Sequence, residues 1–261
     1  MAIKKKSTSE KIDVVRVERK SITICIKGTT PLIVRRMSEK VKQELMLPSG
    51  RKTASEKKST LKHDPYEEFA DSPYTSANPK SPTLLLMPSV AFKSAMRNVA
   101  VDVPNASSKA QLGRLTYVEG DYVPIYGTPQ IKMDVVRSRD MNRTPDVRTR
   151  LVVPEWATII QVIFAVPILN ASTITALMVN AGIIQGVGDY RAEKGAGNFG
   201  SWEVVQQKDI AGIMKIGRKD QEIAMKDPQC YDSETAELLS WFTEAASQRG
   251  FSHRGALEGV S

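Results

Sequence analysis

An α+β fold with a βαββαβ element order is what this 261-residue sequence predicts. Three observations predict it. Short β-branched runs recur along the chain. Two segments place apolar residues at i, i+3, i+4 and i+7, the period of an amphipathic helix. Those two segments take the second and fifth places in the order, and the excess length is concentrated in two polar, basic insertions.

Residues 1–20 are Lys-rich and read as a basic N-terminal arm, or as an edge strand with a frayed start. Ser21–Lys27 (SITICIK) is β-branched and alternating, a strand. Thr29-Thr30-Pro31-Leu32-Ile33 leads out of it. Residues 35–82 then turn polar and irregular. Between Arg35 and Lys62 there are nine Lys or Arg against three Glu, with no sustained apolar period. This stretch reads as a long inserted loop or small subdomain, a feature that compact domains keep for function or leave disordered.

Thr83–Met87 reads as a short buried strand. Phe92, Ala95, Met96 and Val99 define the first helix, with Lys93 and Arg97 four apart on its polar face. Leu115–Val136 reads as extended segments broken at Gly120, Pro124, Gly127 and Pro129, with Ile131–Val136 the best strand. Arg137–Arg150 (RSRDMNRTPDVRTR) is a basic hairpin with five arginines and two aspartates. Trp156–Val166 is a strong strand ended by Pro167. Asn170 or Ser172 caps the second helix, whose apolar side is Ile174, Leu177, Met178 and Ala181, with Gly182 as its stop. A glycine-rich loop follows, then a strand at Ser201–Gln206. After Lys208 the pattern loosens until a last helix, about Ser233 to Arg249, with Leu238, Leu239, Phe242 and Ala245 on one side. Without its insertions this order is the ferredoxin-like (RRM-like) arrangement. Two helices then cover one sheet face, and the other is left free for a single strand of nucleic acid. The expected domains are the arm at 1–20, a core at 21–207 with insertions at about 35–82 and 137–150, and a helical extension with a tail at 208–261.

The formal net charge of +8 favours a polyanionic partner, although basic proteins without one are common. Cys25 and Cys230 stand far apart, so neither a disulfide framework nor a zinc spacing can be built. The charged N-terminus has no apolar run behind it, and no stretch is long and apolar enough to span a bilayer. A soluble, cytoplasmic protein without cofactor is expected.

The strongest functional signal is Gly182–Glu203, GIIQGVGDYRAEKGAGNFGSWE. Gly186, Gly188, Gly195, Gly197 and Gly200 permit positive φ and close backbone approach. Tyr190, Arg191, Lys194, Phe199 and Trp202 supply phosphate contacts and stacking faces. A polar tight connection is the alternative. No Lys-Ser or Lys-Thr follows the glycines, which argues against a nucleotide-hydrolase phosphate loop. In the basic hairpin, Arg137, Arg139, Arg143, Arg148 and Arg150 are candidate phosphate contacts; a solvated ribbon with Asp140 and Asp146 as partners is the plainer reading. Lys93 and Arg97 have the same two readings. His63 and His253 are the only histidines. His63-Asp64 precedes Tyr66, Glu67, Glu68 and Asp71, an acidic run that can hold a metal but reads first as a solvated loop or helix start. No nucleophile–base constellation stands out.

The segment Pro88–Arg97, PSxxFKxAxR behind an apolar strand, resembles the strand-to-helix motif of the RAMP superfamily, whose members form backbone subunits of CRISPR effector complexes. Val90 and Ala91 replace part of the usual pattern and Ser94 its glycine. GVGDYRAEKGAGNFG resembles that superfamily's glycine-rich loop before the last core strand, and Gly28-Thr29-Thr30-Pro31-Leu32 fits as well. TTPLIVRRMSEK, RLTYVEGDYVPIYG, RTPDVRTRLVVPEW and the glycine loop are also similar to a group of bacteriophage and prophage proteins, covering most of residues 22–206. The resemblance implies an RNA-recognition-like core with thumb- and finger-like insertions that polymerises along a single strand. It places Lys93, Arg97 and Gly186–Gly200 near that strand. Cleaving members use a loop aspartate, for which Asp64 or Asp71 is the candidate here, without a surrounding motif.

These readings converge on a non-catalytic, sequence-independent single-stranded nucleic-acid-binding protein. It oligomerises along the strand, with DNA favoured over RNA by the phage resemblance. A guide-RNA-binding backbone subunit, a metal-dependent endoribonuclease and a phage assembly protein are the alternatives.

Overall fold

The structure, a computed structural model, describes residues 15–37, 63–103, 108–137, 145–194 and 197–251, together with Lys42 and Met46. It is a mixed α/β chain with antiparallel sheets and seven α-helices among the described residues. The strands are β1 (Glu18–Gly28), β2 (Leu32–Val34), β3 (Tyr74–Thr75), β4 (Leu85–Pro88), β5 (Thr116–Val118), β6 (Tyr122–Pro124), β7 (Gln130–Arg137), β8 (Pro145–Val153), β9 (Ala157–Val166) and β10 (Trp202–Val205). The helices are α1 (Pro65–Asp71), α2 (Ser89–Asn98), α3 (Lys109–Leu115), α4 (Ala171–Ile184), α5 (Gln207–Ile210), α6 (Arg218–Lys226) and α7 (Ser233–Gln248).

The largest sheet has the order β10-β1-β9-β5, every neighbour antiparallel. Its buried face is written in the alternation of β1: Ile22, Ile24 and Ile26 lie opposite Val162, Ile160 and Thr158 of β9. α2 and α4 pack over that face. Phe92, Ala95 and Met96 from α2 and Ile174, Leu177, Met178 and Ala181 from α4 are all buried, as their spacing predicts. Asn170 is the α4 cap and accepts from the Thr173 amide at 2.8 Å. Gly182 does not stop α4. The helix runs on to Ile184, and Gly182 is where it presses on β10, a Cβ there lying 2.1 Å from the Trp202 carbonyl. The residue that ends the helix is Gly186, at φ 68°.

The opposite face of this sheet is covered in part: Ser21, Thr23, Tyr117 and Gln161 on it are exposed. α5 packs on β1, and the 3-10 turn Ile213–Lys215 packs on β9. Ile210 is fully buried there, outside the main hydrophobic core. The chain that reads as loosened after Lys208 therefore covers part of the sheet. β1 also begins earlier than expected, at Glu18, and lies inside the sheet rather than at its edge.

A second sheet, β2-β8-β7, contains both limbs of the basic hairpin, in the register Lys132↔Arg150 and Asp134↔Arg148. Its edge strand β7 is sealed by the chain entering α7. The Ile131 amide donates to the Gln229 carbonyl, the Tyr231 amide to the Ile131 carbonyl, and the Met133 amide to Thr235 Oγ1. Lys132 adds ion pairs to Asp232 at 2.8 Å and Asp134 at 3.1 Å. Burial opposes its charge, but these hydrogen bonds prevail and raise its pKa. A third sheet, β3-β4-β6, is tied to α6 at its core by Gln221, while Arg218 donates to the carbonyls of Ser76 and Asn78 beyond β3. Gln221, fully buried, accepts from the amides of Leu84 and Leu85 and donates to the carbonyls of Ile125 and Gly127, all between 2.8 and 3.0 Å.

Candidate nucleic-acid interface

Two motifs far apart in sequence meet in space. Arg150, 4% exposed, donates from Nη1 to Asp134 at 2.5 Å and lies with Nε 3.5 Å from Asp189 of the glycine loop. Its guanidinium carbon is 5.8 Å from the ring centroid of Tyr190. Arg35 approaches the same Asp189 carboxylate at 3.7 Å. Asp189 is thus the joint between the hairpin, the chain leaving β2 and the glycine loop.

The glycines have their explanation inside the molecule. Gly188 (φ 84°) runs so close to β2 that a Cβ would lie 2.4 Å from the Ile33 carbonyl, and the next amide, Asp189, donates to that oxygen at 3.0 Å. At Gly197 a Cβ would lie 1.6 Å from the Tyr190 carbonyl, and at Gly200 1.8 Å from that of Val187. The close approaches these glycines permit are therefore to the chain's own backbone, which folds the loop against the β1–β2 connection. Gly195 lies outside the described residues.

This folding leaves Tyr190 46% exposed at φ 56°, with Phe199 tilted against it at a centroid distance of 6.1 Å. Trp202 behaves differently. It is 1% exposed and packs edge-on against Phe92 at 5.7 Å, so it is a core residue and offers no face for stacking. Arg191 bonds to Glu193 through Nε and Nη2 and to the Gly188 carbonyl through Nη1, which makes it a brace of the loop. Arg148 is half-buried on β8. Arg137 ends β7 opposite Pro145, and Lys194 ends the turn Ala192–Lys194. Arg139 and Arg143 lie outside the described residues.

On α2, Lys93 and Arg97 are both half-buried. Arg97 packs beside Gly113 of α3, and its buried Nε has no hydrogen-bond partner. By helical spacing Arg97 continues the stripe begun by Val90 and Ser94. Those two residues, with Ala91, line an open groove of about 450 Å³ completed by Arg35, Tyr74, Met87, Pro88, Gly188, Asp189 and Arg191. α2 starts in this groove behind Pro88 with no side-chain cap, so its N-terminal end presents a partial positive charge there. Tyr122, exposed, stands 5.7 Å from Tyr74. Arg35, Tyr74 and Asp189 are the lining residues that motif reading misses. Arg35 is hidden in the charge run after β2, and Tyr74 carries no sequence signal.

Asp64 and Asp71 do not meet in a metal centre. Asp64 caps α1, accepting from the amides of Tyr66 and Glu67, and Asp71 ends the same helix. His63 is held between Glu68 (2.6 Å) and Asp146 (3.1 Å), joining α1 to the hairpin. No cluster of metal-ligating side chains occurs among the described residues, and no described helix is long and apolar enough to cross a membrane.

No protein-family model matches the chain, and no curated protein matches it. Among solved structures the chain is similar to one in the cryo-EM structure of the Type III-B Cmr-beta bound to cognate target RNA. The identity is 11%, the TM-score 0.34, and the match covers 72% of this chain and 59% of the other. At that score two chains need not share a fold.

Proposed function

We infer that this is a non-catalytic, sequence-independent single-stranded nucleic-acid-binding protein that assembles side by side along its strand. Its core is ferredoxin-like. That reading is supported by the sheet order β10-β1-β9-β5, with α2 and α4 as the two crossovers on one face. The observation that carries the functional reading is the groove. Folding brings the start of α2, the arginine of the β2 exit and the glycine loop around one open cleft, with Tyr190 exposed between two of its lining residues. A helix start and Arg35 suit a phosphate. An exposed tyrosine backed by a guanidinium suits a base of any identity.

The strand runs across the loop side of the core, past Tyr190, where the groove and the exposed ring lie together. Arg150 and Arg191 act by holding that platform, while Arg35, Lys93, Arg97 and the hairpin arginines supply the electrostatic attraction. DNA is the favoured strand.

Fluorescence polarisation with labelled single-stranded DNA, single-stranded RNA and duplex, across a salt series, tests this. Both single strands are expected to outcompete duplex, with affinity falling log-linearly with salt. Tyr190→Ala is expected to weaken binding by about 1–3 kcal/mol, the worth of one stacked base, without lowering the melting temperature. Absence of binding to any strand at low salt would overturn the reading.

A further inference from the structure

The outer side of α7 is an unusual exposed surface among the described residues. Glu234, Glu237, Trp241 and Glu244 follow at i, i+3, i+7 and i+10, which at about 100° per residue confines them to one narrow stripe. The stripe lies away from the side formed by Thr235, Leu239 and Ala246, which is buried. Trp241 is 65% exposed at its centre. α7 contains three Glu and no Lys or Arg, in a chain of net charge +8. An exposed tryptophan ringed by carboxylates on an otherwise basic protein is a docking surface for something cationic with an apolar centre.

The same chain carries that complement. At the start of β1, Val15 and Val17 are exposed apolar side chains interleaved with exposed Arg16, and Arg19 and Lys20 follow, also exposed. Ile168, next to the β9 end that pairs with Glu18, is exposed as well. Among the described residues Arg16 reaches Glu18, at 3.9 Å across solvent, a contact of little energetic consequence. α7 belongs with the second sheet and β1 with the first.

We propose that α7 of one molecule docks on the β1 start of a second copy. Trp241 seats among Val15, Val17 and Ile168, and Glu237 and Glu244 face Arg16, Arg19 and Lys20. Two different surfaces of one chain make this contact heterologous, so it propagates unless its rotation closes a ring. It supplies the partner contact for the side-by-side assembly in the functional reading above, on which it rests. The contact needs no nucleic acid.

Sedimentation velocity of the full chain without nucleic acid, over a concentration series at low and high salt, tests it. Wild-type protein is expected to shift to larger species with concentration, less so at high salt. Trp241→Ala is expected to weaken association about 30-fold, as loss of a central aromatic anchor does. Glu237→Lys with Glu244→Lys, and separately Arg19→Glu with Lys20→Glu, are each expected to sediment as monomers. A one-to-one mixture of those two charge-reversed proteins is expected to associate again, which misfolded variants could not do. A wild-type protein that stays monomeric throughout, or a mixture that stays monomeric, overturns the proposal. Polarisation titration of the monomeric variants separates this from the nucleic-acid reading, because a monomer that still binds single strands leaves that reading standing.

Discussion

Replacing Gln221 by Leu removes one side chain and leaves four main-chain groups without a partner. The Gln221 amide serves the N–H groups of Leu84 and Leu85 and the carbonyls of Ile125 and Gly127, and no part of it reaches solvent. Leucine is close in volume, so the cost is polar rather than a cavity. Each buried group left unsatisfied costs about 1–3 kcal/mol. Four such groups at the lower figure give about 4 kcal/mol, and relaxation of α6 to admit water keeps the total near that lower figure. Against a domain stability of roughly 5–15 kcal/mol this is a large fraction. Urea unfolding followed by tryptophan fluorescence is the assay. With a slope of about 2–3 kcal/mol per molar, the midpoint is expected to fall by roughly 1.3–2 M. Hydrogen exchange should show the Leu84 and Leu85 amides losing protection together. A midpoint loss below about 0.4 M, with both amides still protected, would refute the reasoning. It would mean that α6 rides on the core without fastening it.

Other expectations follow from single sites. Gly188→Ala is expected to cost about 2 kcal/mol or more, since φ 84° and the Ile33 carbonyl both exclude a Cβ, and unchanged thermal stability would contradict that. Arg150→Ala takes one cation each from Asp134, which keeps Lys132, and Asp189, which keeps Arg35; because these carboxylates are also 27% and 38% exposed, about 1–2 kcal/mol is expected rather than the roughly 3–5 of a fully buried pair, read by urea unfolding. Burial resists ionisation of Asp232, but hydrogen bonds from Lys132 and Thr235 prevail and hold its pKa below the usual carboxylate value. A depressed folded pKa adds stability above the unfolded pKa and loses it as pH falls through the folded one. Asp232→Asn is therefore expected to be less stable than wild type at pH 7 and to converge with it in strong acid, as paired unfolding curves at the two pH values would record.

What the sequence reveals depends on how local the cause is. α2 and α4 are legible because their apolar residues repeat within one helix, and Asn170 caps α4 through an amide only three residues on. β8 is legible only as a limb of the basic hairpin, because Arg148 and Arg150 interrupt the apolar alternation, and the acceptor that lets Arg150 be buried, Asp134, lies on the partner strand. α6 reads as an ordinary polar segment, since nothing near Gln221 announces acceptors and donors more than ninety residues away. The glycine loop stands out in the sequence, yet the reason for its glycines is self-packing, and its tryptophan is core. The groove draws on residues from Arg35 to Arg191, a span no local pattern encodes.

The seal on β7 sets a rule for dividing this protein. Ile131 and Met133 offer amides at a sheet edge, and only the stretch from Gln229 to Thr235 meets them. A chain shortened at Lys226 would keep every strand and both core helices, yet would present that edge bare, beside the exposed Val135. An uncovered edge of this kind recruits other strands. The shortened protein would fold and then aggregate, so the final helix is a safeguard of solubility as much as a part of the core.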